Sequence, residues 1–277
     1  MMVISWYPGH MYKARKELIK VSKGAHAIIE LVDARAPQSS SNPILASSEF
    51  ELPRVKILTK ADLADRKTTS LWKAYFQKAP MTNCLISERE KPLNQSTLIS
   101  QLKPLLQHIE STERQKQLLV VGVPNVGKST LLNTILGKKV AKTGDEPAVT
   151  KGQQRVKIES GWYLIDTPGL MWPKLENQDH AYKLACLGTI RNTAIDSEDI
   201  AWYAAEFLIR EYHDRLQLRY GIDRNTSSAE LLYKSIAKST GSLSKKGAPD
   251  YHKISEVLLN DFRSGRLGRF SLEKPQI

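Results

Sequence analysis

Gly122-Val123-Pro124-Asn125-Val126-Gly127-Lys128-Ser129 closes the apolar run Leu118–Val123 and decides the fold. It fits the pattern GxxxxGK[ST]. Its glycines let the backbone wrap closely around a phosphate with N–H groups turned inward. A helix expected over Lys128–Leu136 adds the positive end of its dipole. Lys128 is placed to reach the β- and γ-phosphates and Ser129 to ligate Mg²⁺. Pro124, Asn125, Val126, Gly127 and Thr130 belong to the same cradle. A strand before and a helix after distinguish this stretch from a chance glycine-rich turn.

Working outward, Asp166-Thr167-Pro168-Gly169 follows the short apolar run Tyr163–Ile165 and fits DxxG. Asp166 is expected to hold Mg²⁺ through water, and the Gly169 N–H to meet the γ-phosphate. Upstream, Thr59-Lys60-Ala61-Asp62 fits [NT]KxD, a guanine-reading motif that ordinarily comes after the other two. The Asp62 carboxylate can accept hydrogen bonds from the N1–H and 2-amino group of guanine, which adenine cannot supply, while the Lys60 stem covers the base. Thr59 stands where Asn is usual. Its shorter hydroxyl can still bridge toward the phosphate loop, with one contact fewer. In Asn83–Glu88, Ser87 and Glu88 are candidates for backbone contact with guanine O6. Between the two phosphate motifs, Thr150 in Asp145–Gly152 is the candidate threonine that ligates Mg²⁺ only when GTP is bound. The order base, phosphate, magnesium is a circular permutation of a GTPase domain. Leu170 follows DTPG and cannot orient a water molecule, so hydrolysis needs another group. His10, after the turn-forming Pro8-Gly9, is one candidate; a residue from a partner is the other.

Apolar β-branched runs at Ala25–Val32, Val55–Leu58, Asn83–Ile86, Leu118–Val123 and Tyr163–Ile165 alternate with helical patterns at Met11–Ser22, Asp65–Lys78, Thr97–Ile109 and Lys128–Leu136. This predicts an α/β fold: a mostly parallel sheet with helices on both faces and its ligand groups at the carboxyl ends of the strands. Gln154–Ile158 reads as an edge strand, and Gly137 as a helix C-cap. Past Pro173 the strand pattern stops. Helical periods at Gln178–Leu187, Asp199–Leu216, Ser227–Lys238 and Asp250–Ser264 predict a small all-helical domain. The expected division is 1–174, the permuted P-loop GTPase domain, and 175–277, a helical RNA-binding domain. Lys238–Ala248 reads as a Gly/Ser/Lys-rich loop.

The chain of 277 residues carries a net charge of +12, and the excess is uneven. Residues 1–174 hold 26 Lys and Arg against 15 Asp and Glu, whereas residues 175–277 are nearly balanced. The surplus points to a polyanion, RNA rather than a membrane, because no strongly amphipathic anchor accompanies it. One basic cluster is Lys13, Arg15, Lys16, Lys20 and Lys23; a smaller one is Arg263, Arg266, Arg269 and Lys274. No apolar stretch reaches the roughly 18 residues that span a bilayer. The opening residues lack a signal-peptide pattern, and two cysteines exclude a disulfide framework or a four-cysteine zinc site. A cytoplasmic protein that needs no more than a monomer is the expectation.

The motif order, together with Trp6-Tyr7-Pro8-Gly9-His10-Met11, Val32-Asp33-Ala34-Arg35-Ala36-Pro37 and Asn42-Pro43, resembles the ribosome biogenesis GTPase A (YlqF-type) family, over the whole chain. The resemblance implies a GTPase that assists assembly of the large ribosomal subunit and a helical domain that contacts ribosomal RNA. It implies a catalytic part for His10, with Leu170 in place of a catalytic Gln. It also implies K⁺ at Asn125, where the ion supplies the positive charge of an arginine finger. Thr59 departs from the family pattern. A permuted GTPase of the small subunit typically adds an N-terminal barrel and a zinc-binding segment, for which this chain has neither the leader nor the cysteines. An RNA-binding protein with GTP as a purely structural ligand fits poorly with Lys128, Ser129, Thr150 and Asp166 together. A metabolic P-loop kinase fits poorly with Lys60 and Asp62.

Overall fold

The computed structural model describes residues 9–47, 50–107, 116–137, 154–158, 161–167, 169, 177–190 and 196–276. The chain forms two compact units. One is Asn177–Phe270; the other is Ser5–Glu176 together with the tail Ser271–Ile277. The tail thus lies with the nucleotide-motif unit and not with the helices that precede it, which neither its composition nor its place in the chain indicated.

In the larger unit, six strands form one sheet in the order β3-β2-β1-β4-β6-β5. They are β1 (Ala27–Asp33), β2 (Arg54–Thr59), β3 (Thr82–Ile86), β4 (Lys116–Gly122), β5 (Gln154–Lys157) and β6 (Trp162–Asp166). All neighbours are parallel except β5, which closes the edge antiparallel to β6. β1, with the sequence AIIELVD, is buried at every residue, as a central parallel strand covered on both faces must be. Its one interior charge, Glu30, faces its register partner Lys56 on β2 at 2.8 Å and accepts the Asn42 N–H at 3.0 Å.

The strand order runs outward from β1 in one direction and from β4 in the other. The two central strands therefore meet at the topological switch point, where open α/β sheets place their ligands. The permutation leaves this arrangement intact. It changes only which strand ends the chain joins.

Four longer helices belong to this unit: α1 (Gly9–Ser22), α3 (Arg66–Gln77), α4 (Gln95–Leu105) and α5 (Lys128–Leu136); α2 (Pro37–Ser40) is a single turn. Asp65 caps α3 by accepting the Thr68 N–H at 2.8 Å, and Asn94 caps α4 through Thr97 at 2.8 Å. α4 thus starts two residues before the expected Thr97, and it carries Pro104 inside its last turn and ends at Leu105, where Leu106 leaves the helical backbone as its C-cap. Trp72 and Phe76 of α3 stack at 5.3 Å over Val32, Leu58, Ala61, Ala64 and Cys84, fixing α3 beside the ends of β1 and β2. Gly137 ends α5 at φ 61°, the left-handed geometry expected of a C-cap.

The smaller unit contains α6 (Gln178–Cys186), α7 (Ser197–Glu211), α8 (His213–Tyr220), α9 (Ala229–Thr240) and α10 (Tyr251–Ser264). Four of them start with a side-chain cap, from Asn177, Asp196, Ser228 and Asp250. The single helix expected over Asp199–Leu216 is two. Tyr212, at φ −140° and ψ 39°, closes α7 and opens α8, its ring held between Phe207 and Phe270.

The basic cluster expected near the C-terminus is not one surface. Arg263 is turned onto the Ala185 and Cys186 carbonyls at 3.0 and 2.9 Å, Arg266 pairs with buried Asp261 at 3.2 Å, and Lys274 belongs to the other unit. Among the described residues, no helix is long and apolar enough to cross a membrane.

Candidate functional site

Five parallel strands bring the sequence motifs to one edge of the sheet. Thr59 ends β2 opposite Asp33 of β1, Gly122 ends β4 opposite Leu31, Asp166 ends β6 opposite Val120, and Ser87 follows β3. The phosphate loop then turns through Asn125 at φ 58° and Gly127 at φ 104°. Asn is one of the few side-chain-bearing residues that adopts the left-handed region readily; Gly127 is at a value only glycine tolerates. At Gly122 a Cβ would stand 2.8 Å from Val126 and 2.9 Å from the Leu31 carbonyl, so the strand end admits only hydrogen there.

Lys128 opens α5 and is 7% exposed. Its ammonium donates to the Gly122 and Val123 carbonyls at 2.9 and 3.3 Å, so it lies folded inside the loop. Burial lowers its pKa to about 8, although Asp166 draws it upward. Asp166 is the complementary case. It is 1% exposed, and neither carboxylate oxygen has a well-formed hydrogen bond among the described residues. Burial pushes its pKa up to about 6, with Lys128 pulling the other way. A buried carboxylate short of hydrogen-bond donors, with a folded-back lysine as its neighbouring cation, suits a divalent cation and the phosphates it accompanies.

Gly169 sits against the phosphate loop. A Cβ there would stand 2.9 Å from Pro124 Cα and 3.1 Å from its nitrogen, backbone atoms that cannot move aside cheaply. Gly169→Ala should therefore push the DTPG turn off the loop. The expected result is about tenfold weaker binding of a non-hydrolysable GTP analogue, with GDP affinity changed less than about twofold. Titration with fluorescent nucleotides measures both, and equal losses would show that Gly169 does not sense the third phosphate.

The base-reading motif joins the same edge. The Thr59 hydroxyl lies 2.7 Å from the Val126 carbonyl and 3.0 Å from that of Val32, sharing its one proton between the phosphate loop and β1. Lys60, at φ 54°, donates to the Asn125 carbonyl at 2.7 Å, so its stem crosses from one motif to the other. Asp62 is half-buried and accepts the Arg89 N–H at 3.1 Å. Ser87 and Glu88 are half-buried in the loop after β3, where Ser87 is held by backbone bonds to Leu58 and Ala61. Ser129 is half-buried and Thr130 exposed at the start of α5. Thr150 and Leu170 lie outside the described residues. His10 lies in α1, but its side chain is outside the described atoms.

One residue beside these motifs, quoted in the sequence only for the family resemblance, was given no site role there. Asp33, at the end of β1, accepts from Arg35 through its N–H, Nε and Nη2 at 3.1, 3.0 and 2.9 Å, and its Oδ2 lies 3.4 Å from the Lys60 ammonium. Burial alone would raise its pKa, but Arg35 and Lys60 hold it well below the usual carboxylate range. An aspartate at the carboxyl end of a central apolar strand was the signal available.

Known proteins share this arrangement. Residues 117–212 match a family model described as 50S ribosome-binding GTPase. Ribosome biogenesis GTPase A of Bacillus licheniformis is 40% identical, covering 99% of both chains, and that of Thermotoga maritima is 32% identical over 99% of this chain and 95% of its own. Mitochondrial ribosome-associated GTPase 1 of Xenopus tropicalis is 30% identical over 98% of this chain and 94% of its own. The GNP-bound crystal structure of YlqF from Thermotoga maritima superposes with a TM-score of 0.68 at 26% identity, over 95% of this chain and 99% of that one. A phosphate loop, a DxxG turn resting on it and a base-reading motif drawn from an earlier strand are what a permuted GTP-hydrolysing enzyme requires. With full-length relatives at this identity, the chain belongs to the ribosome biogenesis GTPase A family and is a GTPase of ribosome assembly.

Proposed function

We propose that the protein binds a precursor of the large ribosomal subunit in its GTP form and leaves after hydrolysis. The observation that carries this reading is the position of Gly169. Gly169 stands against Pro124 of the phosphate loop, and in sequence the helical unit that begins at Asn177 follows it. A γ-phosphate sensor covalently next to a separate helical body is the layout of an order–disorder switch. The family model's description as a 50S ribosome-binding GTPase and the surplus of positive charge favour the large subunit and its RNA as partner.

In this reading the site works as follows. Asp62 and Lys60 select guanine, with Thr59, Ser87 and Glu88 shaping the base pocket. Pro124 to Thr130 wrap the phosphates. Ser129, Thr150 and Asp166 would hold Mg²⁺, which would supply positive charge toward the phosphates. Asn125 would hold K⁺, and His10 positions the attacking water. The domains divide near residue 174, the helical part binds ribosomal RNA, and the protein acts in the cytoplasm as a monomer when off the ribosome.

The test is GTP turnover by the purified protein in K⁺ buffer, alone and with isolated large or small subunits. Stimulation of about tenfold or more by large subunits only is the expected outcome. Equal affinity of the GDP and GTP-analogue forms for the particle would overturn the release step, and stimulation by small subunits would overturn the choice of partner.

A further inference from the structure

The C-terminal tail after Phe270 runs back over the nucleotide-motif unit. Glu273 is 8% exposed. Its carboxylate accepts the Gln38 N–H at 2.7 Å, the Ser39 N–H at 3.2 Å and the Ser39 hydroxyl. The Leu272 N–H donates to the Arg35 carbonyl at 2.7 Å. The Trp72 indole N–H donates to the Glu273 carbonyl at 3.2 Å, and the Ser271 hydroxyl accepts the Asp65 N–H at 3.2 Å. The tail therefore grips two segments at once: the turn after β1, which contains Arg35, and the start of α3.

These two segments bracket Thr59–Asp62. On one side, the turn held by Glu273 sets Asp33: the Ser40 hydroxyl accepts the Asp33 N–H at 2.9 Å and donates to the Ala36 carbonyl, while Arg35 holds the Asp33 carboxylate through three donors. Asp33 in turn faces the Lys60 ammonium, which reaches Asn125 in the phosphate loop. On the other side, Asp65 follows Asp62 by three residues and caps α3. A buried carboxylate at the far end of the chain is thus linked, through the Gln38–Ser40 turn and Asp33, to the lysine expected to cover the base. Buried charge-assisted hydrogen bonds of this kind fix geometry more firmly than neutral ones.

We propose that Glu273 is a positioning residue for guanine recognition. It clamps the turn after β1 so that Asp33 and Lys60 stand where the base binds, and the dwell time of the nucleotide depends on the last residues of the chain. This rests on the reading of Lys60 and Asp62 as the base-reading pair.

The experiment uses the full-length protein and a fluorescent GDP. The dissociation rate is measured for Glu273→Ala, Lys60→Ala, the double variant, Ser39→Ala and Asp62→Asn, with thermal unfolding followed alongside. Glu273→Ala should speed GDP release by about tenfold, and Ser39→Ala, which removes one hydroxyl and is mild for folding, by about two- to threefold. In the Lys60→Ala background, Glu273→Ala should add less than about twofold, because the tail acts through that lysine. A fully multiplicative double variant, or Glu273→Ala that lowers the unfolding temperature with release unchanged, would overturn the proposal. Should Glu273→Ala not fold, Ser39→Ala alone and in the Lys60→Ala background decides by the same criteria. Asp62→Asn separates the two levels. If it weakens GDP while Glu273→Ala and Ser39→Ala do not, only the tail inference fails; if Asp62→Asn itself leaves GDP binding intact, the base-site reading fails.

Discussion

Asp62→Asn is expected to weaken GDP binding by about 10²- to 10³-fold and to create measurable binding of xanthosine diphosphate. The argument starts from hydrogen-bond polarity. Guanine presents two donors, N1–H and the 2-amino group, to a carboxylate that can only accept. Among the described residues Asp62 Oδ1 accepts the Arg89 N–H and Oδ2 accepts no hydrogen bond, so the side chain keeps capacity for a base. An amide in its place turns one acceptor into a donor, which then faces the guanine amino group. Each charge-assisted bond contributes roughly 1.5–3 kcal/mol, so losing one and opposing the other costs about 3–4 kcal/mol. Xanthine carries a carbonyl oxygen where guanine carries the amino group, and the asparagine N–H₂ then finds an acceptor. Affinity for both nucleotides, measured by displacement of a fluorescent analogue, checks the exchange. A variant that binds GDP as tightly as the parent would show that another group reads the base.

The parts of this site that the sequence disclosed are those whose chemistry is local. A phosphate loop needs glycine at defined positions because the backbone itself is the ligand, and Gly122, Asn125 and Gly127 take the tight or left-handed conformations that such a loop demands. Alternating apolar runs and helical periods disclosed the parallel sheet, because burial on both faces leaves few polar positions; Glu30 is tolerated only through Lys56 across the register. Thr59 also followed from local reasoning, since its hydroxyl does reach the Val126 carbonyl.

What pattern could not disclose depends on contacts distant in sequence. The tail Ser271–Lys274 has neither strand nor helix period, and its place is set by Gln38, Ser39 and Trp72, some 200 residues earlier. The break at Tyr212 is of the same kind. The periodicity of Asp199–Leu216 continues across it, and only the packing of the Tyr212 ring against Phe207 and Phe270 marks the turn. Arg263 and Arg266 were grouped in one basic cluster, but Arg263 is turned onto the carbonyls that end α6, while Arg266 stays exposed and pairs with buried Asp261.

Asp166→Asn is the change whose effects on stability and on activity should have opposite signs. The Asp166 carboxylate is buried, Lys128 is the cation that faces it among the described residues, and that ammonium is already turned onto two carbonyls. Its pKa rises from 3.8 to about 6 on folding, so the folded state binds the proton more tightly than the unfolded chain. The sign follows: the penalty is fully present above about pH 6 and is relieved as pH falls toward 3.8. At 1.36 kcal/mol per pKa unit, reduced for relaxation around the charge, the neutral amide should stabilise the empty protein by about 2 kcal/mol at pH 7, and by less at pH 5. Urea unfolding at the two pH values measures this. The same substitution removes an anionic oxygen from the position that suits a divalent cation, and Mg²⁺-dependent GTP hydrolysis should fall by about 10²- to 10³-fold. A merely structural aspartate would lose both stability and activity together. A gain in one with a loss in the other is the signature of a carboxylate held in an unfavourable place until metal and nucleotide arrive, and an empty variant less stable than the parent at pH 7 would refute it.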